Sequence, residues 1–248
     1  MEWEVIAGIV SGATVAPIVS VVDKAIFSNA SGKATFTESF KESAMLVVKK
    51  PVQFFRGPSF LWIWAVYGAT YIASNCSDRY ARQKKVDPAM PVLVATSVTN
   101  IGMSVIKDRA FSRMYGTTAP RPLPITSLGC YALRDFITVS ASFTLVSPVA
   151  KSIEQSTGWS SSTSLLLSQL FCPLFAQLVN TPIFLYGMDL YNKPEATSTQ
   201  RIEFIKAQYW KTWLSRIARI GPAFSIGGVV NRFLRQTLTP PINPSVSK

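Results

Sequence analysis

Hydrophobic positions fall in long runs along the chain, separated by shorter charged or polar segments. A helix that crosses a bilayer needs about 20 mostly apolar residues, and six runs approach that length. The first extends from Trp3 to Phe27, where Gly8 and Gly12 form a small-residue face that admits a neighbouring helix. Pro17 is a point at which this run can bend. The second covers Pro58 to Cys76, the third Met90 to Ile106, and the fourth Leu128 to Val149. The fifth, Ser164 to Met188, holds Pro173 and Pro182, the latter a candidate helix kink. The sixth is the segment Trp213 to Gln236, whose centre from Ile217 to Val230 is apolar or small except for Arg219.

The segments between the runs carry patterns of their own. Glu38 to Lys50 places Phe40, Ala44, Val47 and Val48 at helical spacing, which predicts a short amphipathic helix lying in the interface. Thr199 to Trp213 puts Ile202, Ile205, Tyr209 and Trp213 on one side and predicts a second. Tyr115 to Pro124 is a loop broken by Pro120, Pro122 and Pro124, and Ser160 to Ser164 is a solvated turn with helix-capping potential. The proline-rich tail, 240–248, is expected to be disordered. The layout of span, connector and span recurs over 1–87, 88–158 and 159–239, a period too long for a soluble solenoid. These patterns predict one all-α membrane domain. Six transmembrane helices would form three pseudo-repeated hairpins around a threefold axis, with short interfacial helices between them.

Composition supports the membrane reading. The chain is 48% hydrophobic and only 15% charged, where soluble domains carry roughly 25% charged residues. Its net charge of +12 comes in good part from basic residues beside the apolar runs, among them Lys49, Lys50, Arg79, Arg82, Lys84, Lys85, Arg232 and Arg235. That placement implies anionic lipid headgroups as partners. No aromatic-basic recognition module is visible, so nucleic acid is not expected as a partner. The chain has no histidine, and Cys76, Cys130 and Cys172 are widely spaced. With no phosphate-binding glycine loop either, neither an enzyme nor a bound metal or cofactor is expected. The acidic start, Met1-Glu2-Trp3-Glu4, resembles neither a secretory n-region nor a transit peptide, so targeting is expected to be internal.

Charges inside the runs are the candidate functional groups. Arg219 stands alone in the apolar centre of the sixth run, two residues before Gly221-Pro222. A cation at the centre of a lipid-facing helix costs about 2.5–3.5 kcal/mol or more, so Arg219 is expected to face a bundle interior or a water-filled cavity. Arg134 and Asp135 are adjacent in the fourth run, and neighbours in sequence do not share one helical face. Trp62, Trp64, Trp210 and Trp213 lie near run ends, where interfacial anchoring is the simplest role.

The run Arg216-Ile-Ala-Arg219-Ile-Gly221-Pro222 resembles the last helix of the mitochondrial carrier family. Phe55-Arg56-Gly57 and the Gly129–Arg134 spacing are also similar to that family. At its Pro-x-Asp/Glu-x-x-Lys/Arg signature, Asp23 and Asp108 match the acid, and Arg113 a following basic position. Val21 and Ile106 replace the prolines, Ile26 and Phe111 the bases, and Phe184 stands for the third acid after Thr181-Pro182. Asn231-Arg232 replaces an aromatic-acidic pair, while Arg235 keeps the basic position.

The resemblance implies a transporter that exchanges a small anionic solute through a central cavity by alternating access. It implies a mitochondrial membrane, the inner one, with cardiolipin among the lipid partners. Arg219 and Arg134 would bind the solute, with Gly129, Trp64 and Tyr67 beside them. Asp23, Asp108, Arg113 and Arg235 would belong to ion-pair gates. The eroded signatures leave a second reading, a carrier-derived protein that no longer transports and serves outer-membrane fusion, insertion or scaffolding.

Overall fold

The run from Glu2 to Ala30 contains no charged residue between Glu4 and Asp23 and forms a single helix, α1. The structure, a computed structural model, describes residues 1–117, 122–143 and 145–238, less the side chains of 139, 142–143 and 220–225. Eight more helices follow among these residues: α2 (Phe36–Lys49), α3 (Pro51–Phe55), α4 (Pro58–Gln83), α5 (Ala89–Tyr115), α6 (Ile125–Phe143), α7 (Val146–Thr157), α8 (Ser161–Asn192) and α9 (Ser198–Leu238). Several starts have a visible local cause. The Thr35 hydroxyl accepts the Glu38 backbone N–H, and the Thr35 backbone donates to the Glu38 carboxylate, a reciprocal capping box at α2. Ser160 caps α8 by accepting from the Thr163 N–H. Pro51 and Pro58 occupy the first turns of α3 and α4, where a missing N–H costs nothing. Gly158, at φ 68°, ends α7 in the left-handed region.

Six long helices close into a ring. α1 packs on α4 and α9, α4 on α5, α5 on α6, α6 on α8, and α8 on α9. The seams between α5 and α6 and between α8 and α9 are thinner than the rest. α2 folds back against α1, and α7 against α8. The tightest pair, α1 with α4, depends on small residues. A Cβ on Gly8 would sit 2.6 Å from Ile72, and one on Gly12 would run into the backbone at Gly68. Gly227 of α9 is held equally close to Tyr71 and Val15. Large apolar side chains such as Ile6, Val10, Ile18, Val94, Val98, Leu166, Phe175 and Val179 remain exposed on the outside. An apolar exterior of this extent is suited to lipid.

The chain is an all-α protein in which three helices, α1, α5 and α8, are long and apolar enough to cross a membrane by length and composition. Among the described residues, the other three members of the ring, α4, α6 and α9, do not reach that hydropathy, because their polar residues dilute the apolar stretches. The six expected spans therefore appear as six ring helices of unequal hydropathy. Three details differ from expectation. The fourth run ends as a helix at Phe143, and a separate helix, α7, takes up Val146 to Thr157. The amphipathic segment 199–213 is not a separate interfacial helix but the first half of α9, which continues through Gly221-Pro222 to Leu238. α4 also continues past Cys76 into the charged segment, ending at Gln83. Pro122 and Pro124 lie outside helices as expected, whereas Pro120 and the tail 240–248 lie outside the described residues.

Gly12→Ala is expected to lower thermal stability in detergent by about 1–3 kcal/mol, because the added methyl overpacks the α1–α4 contact. Gly102→Ala, where a Cβ meets nothing within 4 Å, is expected to be neutral or more stable by up to about 1 kcal/mol. At α2, the Glu38 carboxyl is held below the usual carboxylate range by its hydrogen bonds to the Thr35 hydroxyl and backbone. The capping box should thus be fully formed above the unfolded carboxyl pKa and be lost as pH falls through the lower folded one. Amide exchange at Glu38 in wild type and Thr35→Ala follows this loss. A Thr35→Ala protein with unchanged exchange would rule the box out as the α2 start.

Candidate functional site

Asp23 sits on the inner face of α1 among Val19, Val22, Ile26 and Phe27 and is 1% exposed. It accepts from Lys107 Nζ of α5 at 2.9 Å and from Arg219 Nη1 of α9 at 2.5 Å. Lys107 also lies 2.6 Å from the neighbouring Asp108. Asp108 in turn accepts from Arg134 Nη2 of α6 at 2.5 Å. The Arg134 guanidinium then reaches back to Asp135, with Nε at 2.9 Å and Nη2 at 2.7 Å. Cations and carboxylates therefore alternate across α9, α1, α5 and α6. Three of each balance in this chain, so no charge is left isolated where desolvation is costly. The adjacent pair Arg134–Asp135 does meet, contrary to the helical-face argument, because the long arginine folds along its own helix to its neighbour.

Aromatic rings complete this layer. Phe27 lies one turn beyond Asp23, and Phe111 one turn beyond Lys107 and Asp108. Phe27 meets Phe111 edge-on at 5.3 Å between centroids and Phe184 of α8 at 5.1 Å. Lys107 lies over Phe27 and Phe111, at 5.4 and 5.2 Å. Arg134 and Arg216 lie over Phe184, at 5.6 and 5.1 Å. Lys107, Arg134 and Arg216 thus each have a ring face beside a polar partner, an arrangement worth about 2 kcal/mol or more where water is excluded. Phe184, which occupies a third acidic position in the sequence comparison, offers cations a quadrupole instead of a carboxylate. Among the described residues, Arg216 makes no carboxylate contact; its Nε donates to Gln177 Oε1 of α8 at 2.9 Å.

A second charged layer lies at the other end of α1. Glu4, also 1% exposed, accepts from Arg235 Nε of α9 at 2.7 Å and lies 3.6 Å from Arg79 of α4. Arg235 Nη2 also donates to Asp78 of α4 at 2.6 Å. Behind this layer, Asn75 and Asn231 exchange reciprocal amide hydrogen bonds of 2.8 Å, and Ser11 donates to Asn231 Oδ1 at 3.3 Å. Glu4 and Asp23 are nineteen residues apart on one helix, hence about 28 Å along the axis at 1.5 Å per residue. The two layers therefore lie roughly a hydrocarbon thickness apart.

The residues singled out from the sequence divide clearly. Arg219, Arg134, Asp23 and Asp108 come together in the first layer, and Arg235 joins the second. Arg219 and Arg134 are bound to carboxylates in this conformation, not presented as unpaired cavity cations. Tyr67 is half-buried within electrostatic reach of Arg219, Asp23 and Asp135. Trp64 donates its indole N–H to Ile9 O of α1 at 3.0 Å. Gly129 is exposed with open space where a Cβ would project, and Arg113 is exposed and in no ion pair among the described residues. Pro182 lies half-buried inside α8, which runs unbroken from Ser161 to Asn192. Lys107, Arg216, Gln177, Glu4, Asp78 and Asn75 were not singled out. Glu4 and Lys107 looked like end-of-run charges, and pairing across the ring was their only distinguishing sign.

Asp23→Asn should cost about 3–5 kcal/mol of stability, since it leaves Lys107 and Arg219 buried against a neutral amide. Arg113→Ala should stay within about 0.5 kcal/mol of wild type. Thermal unfolding of both proteins in one detergent checks the contrast, and equal midpoints would refute a structural role for the Asp23 pairs.

A family model described as a probable citrulline exporter matches residues 7–239. Comparison with curated proteins finds no match. The likeness to mitochondrial carriers is thereby corrected: the matching family is a different one, and no carrier family matches. The correction has a physical side. Arg216 and Arg219 serve Gln177, Phe184 and Asp23 in this ring, so an Arg-x-x-Arg helix is a packing solution open to unrelated bundles. What stands is a multi-pass membrane protein that transports a small solute. The mitochondrial location rested on the carrier likeness and loses that support.

Proposed function

The chain belongs to the probable citrulline exporter family, and from that membership we propose that it carries citrulline across a membrane through the centre of its helix ring. All six ring helices cross the bilayer in this reading. The observation that carries the mechanism is the pair of ion-pair layers, the buried Asp23–Lys107–Arg219 with Asp108–Arg134 at one level and the partly buried Glu4–Arg235–Asp78 at the other. Both are closed in this structure, which corresponds to an occluded state.

Alternating access requires each layer to open while the other stays shut. Buried ion pairs suit that task because their attraction is largely offset by desolvation, so water entering from one side removes most of the net difference between open and closed. The rings of Phe27, Phe111 and Phe184 keep Lys107, Arg134 and Arg216 stabilised while carboxylates change partners. Among the described residues the second layer ties α1, α4 and α9, and the thin α5–α6 and α8–α9 seams are where the halves of the ring would part. Anionic headgroups would bind the basic segments at the helix ends, as the charge pattern implies.

Proteoliposomes loaded with labelled citrulline should release it when the full-length protein is present. In a background with Cys76, Cys130 and Cys172 changed to Ser, the double variant Asn75→Cys/Asn231→Cys can be joined by a cleavable thiol crosslinker across the second layer. Crosslinking is expected to stop release, and cleavage to restore it. Unchanged flux through the crosslinked protein would sink the two-gate mechanism.

A further inference from the structure

At the first layer, around Phe184, one region of the ring holds polar atoms that no described residue meets. Arg216 is 2% exposed, donates through Nε to Gln177, and lies over the Phe184 ring. No acceptor among the described residues meets its Nη1 or Nη2. Two acceptors in the same region are buried and also unmet: Asp135 Oδ2 on α6 and Asn180 Oδ1 on α8. Their other atoms are engaged. Asp135 Oδ1 accepts from Arg134, which shares the Phe184 ring with Arg216, and the Asn180 amide donates to Thr138 Oγ1 at 2.7 Å. Asp135 lies within electrostatic reach of Arg216. Asn180 lies one turn from both Gln177 and Phe184 on the inner face of α8.

Two buried, unmet oxygens are costly in a dry interior, and the Arg216 guanidinium beside them has terminal nitrogens free to donate. A ligand with complementary groups removes that cost, so what is missing specifies what binds. We infer that Arg216, Asp135 and Asn180 form the binding centre for a zwitterionic α-amino acid. The two terminal nitrogens of Arg216 present the fork that matches a carboxylate in bidentate geometry. Asp135 Oδ2 accepts from the α-ammonium group, and Asn180 Oδ1 accepts an N–H from the ligand side chain. A ureido group supplies such an N–H without adding charge. The carboxylate gives Arg216 an anionic partner that none of the described residues supplies by direct contact. This inference rests on the transport reading and names the substrate class of that path.

The test uses the full-length protein twice, in detergent for binding of labelled citrulline and in liposomes for its flux. Wild type should bind citrulline roughly tenfold to a hundredfold more tightly than its α-carboxamide, the effect of losing a charge-assisted pair. Arg216→Gln should lose affinity for citrulline by a similar factor and no longer discriminate between the two. Asp135→Asn should weaken citrulline but not its des-amino analogue. The ligand series on wild type needs no variant, so it decides the matter even if Arg216→Gln fails to fold. Equal binding of citrulline and its carboxamide by wild type overturns the inference, as does undiminished flux through folded Arg216→Gln, which would leave the transport reading intact. Carboxylate-dependent binding without any flux would support the centre and overturn the transport reading. No binding of citrulline by wild type overturns the centre.

Discussion

A carboxylate buried between cations from two other helices is the constraint on which the rest of the ring depends. Asp23 is held by Lys107 of α5 and Arg219 of α9, and none of the three could be left alone in that interior. Their mutual need fixes the rotation and height of α1, α5 and α9 relative to one another, because a shift of one turn would strand a charge. Asp108–Arg134 extends the same requirement to α6. Apolar packing alone would be far less exacting, since one leucine face accepts another over a range of offsets.

The same interactions that set the register are poor at adding net stability. Attraction between buried charges is strong, but so is the cost of drying them. A layer built this way is specific when closed and inexpensive to open once water enters. The aromatic trio of Phe27, Phe111 and Phe184 adds partners that do not depend on a particular carboxylate. Elsewhere the ring resists separation: Gly8 and Gly12 bring the α1 and α4 backbones too close for anything but joint movement. The α5–α6 and α8–α9 seams are thinner, and each is bridged by a pair from the polar network, Asp108–Arg134 and Gln177–Arg216.

Much of this was legible along the chain. Six apolar runs became six ring helices, Gly8 and Gly12 lay at a close helix contact, and Ser160 capped a helix. Arg134 and Arg219 were recognisable as costly charges inside apolar runs, whereas Asp23 and Asp108 were marked only by a likeness to another family's signature. The fate of others was not. Glu4 and Lys107 sit near run ends, where charges usually meet water, and only closure of the ring buries them. Gly129 and Arg113 matched a spacing drawn from another family, yet both are exposed. The break after Phe143 and the continuity of α9 through Gly221-Pro222 also escaped, since short-range propensity is overruled when neighbouring helices supply the packing.

By itself, the sequence determined that the chain is helical, that it suits a membrane, and that Arg134 and Arg219 inside apolar runs needed an interior partner. Periodicity and the cost of burying charge are properties of single segments, so they can be read without knowing what lies opposite. Partner identity is different. That Arg219 belongs to Asp23, Arg235 to Glu4 and Arg216 to a glutamine and a phenylalanine was decided by the order of helices around the ring. Those pairs are separated by up to 231 positions in the chain, and no local rule reaches across them.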